Sequence, residues 1–335
     1  MTAIRQDSRF HPHPTKRDAC FTGVSTTVLS DADTPRTVFA YLDSQARRLY
    51  SMGHIRSSET LRSTLRSFMH FRAYVDMPLE ALDKDTICLY ETYLRGRGLL
   101  RNTTSFYMRN LRTAYHAAVE EGLTADHKPF RKVYTGVDKT AKRAIGIDDI
   151  RRIRQLPLQS RPALSFARDM ALFSFYTRGM SFVDMAYLRK RDVVDGYIIY
   201  RRKKTGQTLM VEMEPEMAAI IARYPTDTPY LLPLISEAGD TGRRQYRNQL
   251  MRVNRNLKPI GRMASLPIPL SMYVMRHAWA TIARDKGFSL SVISKGLGHD
   301  NEATTRIYLN SLRASQIDDA NRIILDDLKT STNKD

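Results

Sequence analysis

One change of periodicity limits what this chain can fold into. Apolar residues recur three or four apart, at helical spacing, through most of the 335 residues. The pattern turns to alternation once, in VVDGYIIYRRKKTGQTLMVEM from Val193 to Met213. There Asp195 and Gly196 form a turn before a run of β-formers, and Thr205 to Gln207 form another before a second strand. This predicts a short antiparallel sheet. The fold class is therefore mainly α with a small antiparallel β-sheet, and the length is a prior for two domains.

Residues 1–33 mix Pro, His, Ser, Thr and Asp without a period and read as a flexible N-terminal arm. Residues 34–125 read as a four-helix bundle. Its first helix opens at Thr34 and Pro35, the second near Ser57, the third near a capping Asp85 with a stop at Gly96, and the fourth from Asn102 to Gly122. Arg62 with Arg66, and Arg109 with Arg112, lie one turn apart on their helices and are candidate phosphate contacts. Residues 126–145 carry Lys139, Lys142 and Arg143 among other cations and read as a basic linker able to lie along a duplex. Residues 146–316 form the second domain. It has helices at 147–156, from 161, at 214–223, 243–257, 271–286 and 290–297, and residues 317–335 form a C-terminal helix and tail.

Charge narrows the partner. The 53 Lys and Arg against 35 Asp and Glu leave a formal charge of +18, which favours a polyanion and double-stranded DNA first. No apolar run is long enough to span a membrane, and no lipidation signal stands at either end. The first residues lack the apolar core of a secretory signal, so a cytoplasmic protein is expected. Cys20 and Cys88 have no metal-ligand spacing.

The chemistry concentrates in LSMYVMRHAWATIARDKGFSLSVISKGLGHDNEATTRIYLNSL, where Arg276, His299 and Tyr308 follow in order. A guanidinium forks onto phosphate oxygens, an imidazole moves protons near neutral pH, and a phenol supplies an oxygen nucleophile. Such a set suits a phosphodiester and calls for no metal and no cofactor. Singly, each has a plainer reading as a surface charge, a helix-end residue and a half-buried aromatic.

The words RHAWAT, LGH and TTRIYL, with the interval from His299 to Tyr308, closely resemble the C-terminal box of the tyrosine recombinases, the phage-integrase family. The resemblance runs from about Ala144 to the end, and the preceding bundle looks like that family's core-binding, SAM-like domain. It implies a mixed α+β catalytic domain in which Tyr308 attacks a scissile phosphate. The products are a 3′-phosphotyrosyl link and a free 5′-hydroxyl, and a 5′-hydroxyl from the partner duplex reverses the step. Arg276 would neutralise the transition state and His299 would hydrogen-bond the same phosphate. The resemblance also implies a homotetramer on paired sites, with a monomer in free solution left open. Integration, excision or inversion are the outcomes, and the short arm before the bundle favours a simple invertase or resolvase. The C-terminal helix docks on its own domain or on a neighbour.

The family's leaving-group lysine sits on a β-hairpin. Lys204 before Thr205 and Gly206 is preferred to Lys203, which a one-residue slip of register would exchange with it. Two positions depart from the family pattern. Tyr273 stands where a histidine is usual, and His277 is read as structural. In FYTRGMSFVDMAYL, matching Asp184 to the motif's acid puts Ser181 at the first arginine's place. Arg178, one turn earlier, is the first choice to replace it, and Arg202, expected on the same strand face as Lys204, the second. Relaxation of DNA by a type IB topoisomerase, and a decayed active site in a sequence-specific DNA-binding protein, are the alternative functions.

Overall fold

A computed structural model describes residues 35–138, 144–299, 301, 302 and 305. The 1–33 arm, Lys139, Lys142, Arg143, Tyr308 and the C-terminal helix lie outside the described residues. The chain divides into two compact units at Thr140.

The first unit holds α1 (Val38–Ser51), α2 (Ile55–Phe71), α3 (Lys84–Gly96) and α4 (Arg101–Glu120). Their apolar stripes meet around Phe68, Tyr90, Tyr41 and Tyr115, all fully buried. Phe68 packs edge-on against Tyr90, with centroids 5.0 Å apart. Each buried phenol finds a partner: Tyr90 donates to Ser67 Oγ, Tyr41 to Glu121 and Tyr115 to the Ala125 carbonyl. Two expected caps are replaced. The first helix starts at Val38, where Asp76 Oδ1, from the α2–α3 connection, accepts from the Phe39 amide at 2.9 Å. Asp83, not Asp85, caps α3 by accepting from the Thr86 amide.

The expected linker is also shorter than its charge implied. Phe130 and Val133 are buried in the first core, and residues 134–138 are tied to α4. Ser105 Oγ and Arg109 donate to the Gly136 carbonyl, Arg112 to Thr135 Oγ1, and Asn102 exchanges two bonds with the Asp138 backbone. Isolated buried apolar residues among many cations carry no period, which is why this segment reads as linker.

The second unit is built around α6 (Pro162–Tyr176), buried along Ala167–Ser174 and packed by α5 (Ile147–Gln155), α8 (Pro215–Arg223), α9 (Gly239–Met263) and α10 (Met272–Asp285). Two further helices, α7 (Phe182–Tyr187) and α11 (Leu290–Leu297), flank the site described below. The sheet is β1 (Val193–Val194), β2 (Tyr197–Arg201) and β3 (Thr208–Glu212) in order β1-β2-β3, antiparallel throughout. Asp195 and Gly196 both take positive φ, as a two-residue hairpin turn requires. Ile198, Tyr200 and Val211 face the core. Asp169, buried inside α6, is satisfied by Arg168, Arg223 and Tyr224. No helix among the described residues is long and apolar enough to cross a membrane.

Candidate active site

The site forms where α11 ends. Gly298 takes the left-handed conformation, φ 62°, that turns the last carbonyls of the helix outward. A Cβ there would also lie 2.6 Å from Arg202 Cδ, so the position needs glycine twice over. Two guanidinium groups close on those carbonyls. Arg276, 6% exposed on α10, donates to the Leu297 carbonyl at 2.7 Å and to the Gly179 carbonyl at 2.6 Å. Arg202, 5% exposed, donates to the Gly298 carbonyl. The negative end of a helix is a natural seat for cations.

Asp184 organises the second guanidinium. Buried on α7, its carboxylate lies 3.6 Å from Arg202 Nε and accepts from the Lys203 amide at 2.8 Å. Ser181 caps the same helix and donates to Asp184 Oδ2 at 2.7 Å. Ser181 thus serves the carboxylate and not the place of an arginine.

His299 follows directly. Its Nε2 is 3.1 Å from Arg276 Nη2, and its Nδ1 is 2.7 Å from Oγ1 of the fully buried Thr305. A guanidinium only donates, so Nε2 accepts and Nδ1 carries the proton. Burial, then the charges of Arg276, Arg202, Lys204 and His277, push the imidazole down to about 4. The ring is neutral near pH 7. In the unfolded chain it would titrate near 6.5, so between those values only the unfolded chain holds the proton. Stability from this group is complete above about pH 6.5 and is lost as pH falls toward 4. His299→Gln should flatten that part of a melting-temperature profile, and a slope identical to wild type from pH 6.5 to 4.5 would contradict the assignment.

Several expectations are corrected by this geometry. Arg178, at φ 59°, directs its guanidinium to the Met210 carbonyl at 3.2 Å. Arg202 is the arginine brought to Arg276 and His299. The strand-face argument linking Arg202 to Lys204 also fails, because β2 stops at Arg201 and residues 202–206 form a turn closed by Arg202 N–Gln207 O and Gly206 N–Arg202 O bonds. Lys203 places its ammonium 4.4 Å over the Tyr187 ring. Lys204 is exposed, and its charge acts on His299. Tyr273 is 53% exposed and lies edge-on to His277 at 4.2 Å. His277, expected to be remote, acts electrostatically on His299.

Among the phosphate-contact candidates, Arg62 and Arg66 are exposed, while Arg109 and Arg112 hold residues 135–136. The helix expected at 243–257 is α9, but its cationic face was missed: Arg244, Arg247, Arg252, Arg255, Lys258 and Arg262 are exposed opposite the buried Val253, Leu257 and Ile260. Their spacing of three to five residues was the available signal. Thr305 was also missed, although it stands in the TTRIYL word three residues before Tyr308.

Arg276, Arg202 and Lys204 all bear on His299, and the Asp184 carboxylate faces Arg202, which leaves positive charge suited to a phosphate. Among the described residues, no three His, Cys, Asp or Glu side chains gather in a way that could hold a metal ion.

Comparison with known proteins gives a consistent result. Residues 37–134 match the phage integrase SAM-like domain and residues 151–315 the phage integrase family. Tyrosine recombinase XerD of Listeria innocua is 24% identical over 272 residues, covering 75% of this chain and 88% of that one. XerA of Pyrococcus furiosus is 22% identical over 277 residues, covering 75% and 90%. A lambda integrase dimer bound to a COC′ core site superposes with TM-score 0.62 at 17% identity, covering 82% of this chain and 95% of that one. For the Tn1549 transposon integrase in complex with a circular intermediate DNA the TM-score is 0.55 at 15% identity, covering 86% and 99%.

Proposed function

Because the chain belongs to the phage integrase family and is a tyrosine recombinase, we propose that it joins DNA at specific sites with Arg276, Arg202, His299 and Lys204 gathered around one scissile phosphate and Tyr308 as its nucleophile. The observation that carries this reading is the pair of buried guanidinium groups converging on the end of α11 beside His299. The phenol of Tyr308 releases its proton to solvent as its oxygen bonds to phosphorus, the P–O5′ bond breaks and the 5′-oxygen leaves with a proton from Lys204, and a 3′-phosphotyrosyl link stores the bond. Attack by a 5′-hydroxyl from the second duplex expels Tyr308. Arg276 and Arg202 neutralise the non-bridging oxygens, and the incoming negative charge draws a proton onto His299 Nε2.

Arg62 and Arg66 on α2 and the exposed cations of α9 supply backbone contacts, which fix register on the duplex without reading sequence. A lambda integrase tetramer is known bound to a Holliday junction, and the same homotetrameric assembly on paired sites is our reading for this chain. It would act in the cytoplasm, where a bacterial or phage-type recombinase meets its DNA.

The test is to incubate the protein with nicked duplexes cut from the DNA flanking its gene and to map any covalent adduct. A DNA 3′ end attached at Tyr308, together with strand exchange between two such sites, is the expected result. Relaxation of supercoils without exchange would favour a topoisomerase, and DNA binding without adduct would favour a decayed enzyme.

A further inference from the structure

The fully buried Thr305 hydroxyl is 2.7 Å from His299 Nδ1, while the ring's other nitrogen faces Arg276, 3.1 Å away. The two partners differ in kind. Arg276 can only donate, so without substrate it holds the ring with its proton on Nδ1. A substrate phosphate requires the reverse at Nε2, which must then donate. The partner on Nδ1 has to tolerate the change. A carbonyl accepts only and would hold the proton on Nδ1, whereas a hydroxyl accepts from Nδ1–H and can also donate to a bare Nδ1.

We propose that Thr305 is a positioning residue for strand cleavage: its hydroxyl fixes the His299 ring through every protonation state, keeping Nε2 on the scissile phosphate. In the sequence Thr305 lies three residues before Tyr308. Thr305 itself touches neither phosphate nor leaving group. The charges facing the ring come from separate elements: Arg276 and His277 on α10, and Arg202 and Lys204 on the β2–β3 turn. The arginines and the lysine only donate, so they cannot replace a neutral partner that both donates and accepts. The inference rests on the recombinase reading above.

The experiment compares Thr305→Val, which keeps the shape, with Thr305→Ser, which keeps the hydroxyl. Single-turnover adduct formation on a nicked site should fall roughly 10- to 100-fold in the valine variant, the usual cost of losing an orienting hydrogen bond. DNA affinity should be unchanged, and the serine variant should stay within about threefold of wild type. In a His299→Ala background the valine change should have no further effect. Imidazole nitrogen signals of the free protein should show His299 protonated on Nδ1 in wild type and in Thr305→Val, with the Nδ1 resonance shifted by loss of its acceptor in the variant. Normal cleavage by Thr305→Val, or the full loss repeated in the His299→Ala background, would overturn the inference and leave the recombinase reading intact. Absence of any adduct from wild-type protein would overturn both.

Discussion

Arg202→Ala is expected to lower adduct formation on a nicked site by roughly 10²- to 10³-fold, the typical loss when one preorganised charge is removed from a transition state. Arg178→Ala should remain within about threefold of wild type, since its guanidinium is spent on the Met210 carbonyl. The Arg202 variant has a second defect that must be separated from the first. Asp184 is buried and would lose its cation, and breaking a buried pair costs about 3–5 kcal/mol. Adding Asp184→Asn should therefore recover much of the melting temperature without recovering cleavage. Arg202→Lys should restore charge but not activity, because an ammonium cannot hold the Gly298 carbonyl and fork onto a phosphate together. If Arg178→Ala abolishes cleavage while Arg202→Ala cleaves normally, the assignment of the second arginine is wrong.

Gly179→Ala is expected to damage both the stability of the second unit and its chemistry. Gly179 has φ +75°, and a Cβ there would lie 2.9 Å from Arg276 Cα and 3.0 Å from its Cγ. The backbone conformation alone costs an L-residue roughly 1–2 kcal/mol, and crowding against main chain that cannot yield adds about 1–3 kcal/mol. A fall in melting temperature of roughly 6–15 °C follows for a unit of this size. Gly287→Ala is the control, with φ +84° and no atom within 4 Å of the new Cβ; it should pay the conformational cost only. Cleavage by Gly179→Ala should also drop when measured well below its melting point, since the clash bears on Arg276, the residue proposed to hold the phosphate. Equal effects from the two glycines would mean that the close approach to Arg276 is unimportant.

Most of the helices and the hairpin were legible because their residues obey one period at a time. The RHAWAT and LGH words hold Arg276 and His299, which the fold brings within 3.1 Å of each other from α10 and from just past the end of α11. Arg202 was ranked below Arg178 for a physical reason: a pattern comparison looks for a missing side chain nearby in sequence, whereas Asp184 accepts any cation that arrives in space. Its actual partner comes from a turn eighteen residues away. The caps on α1 and α3, the docking of 134–138 and the Thr305 contact were illegible for the same reason. Each joins a backbone group or a small polar side chain to something that leaves no periodic trace.

The turn from Arg202 to Gln207 carries more than one duty. It presents Arg202, through the Arg202–Gln207 and Gly206–Arg202 bonds, and two residues later Lys204. On the proposed reading, a ligand of the attacked phosphate and the donor to the departing oxygen are thereby mounted on a single turn. On that reading their failures are common-mode: a shift of the turn would disable bond making and bond breaking together. In the homotetramer proposed above, control over a few turn residues would then be enough to decide which subunit cuts.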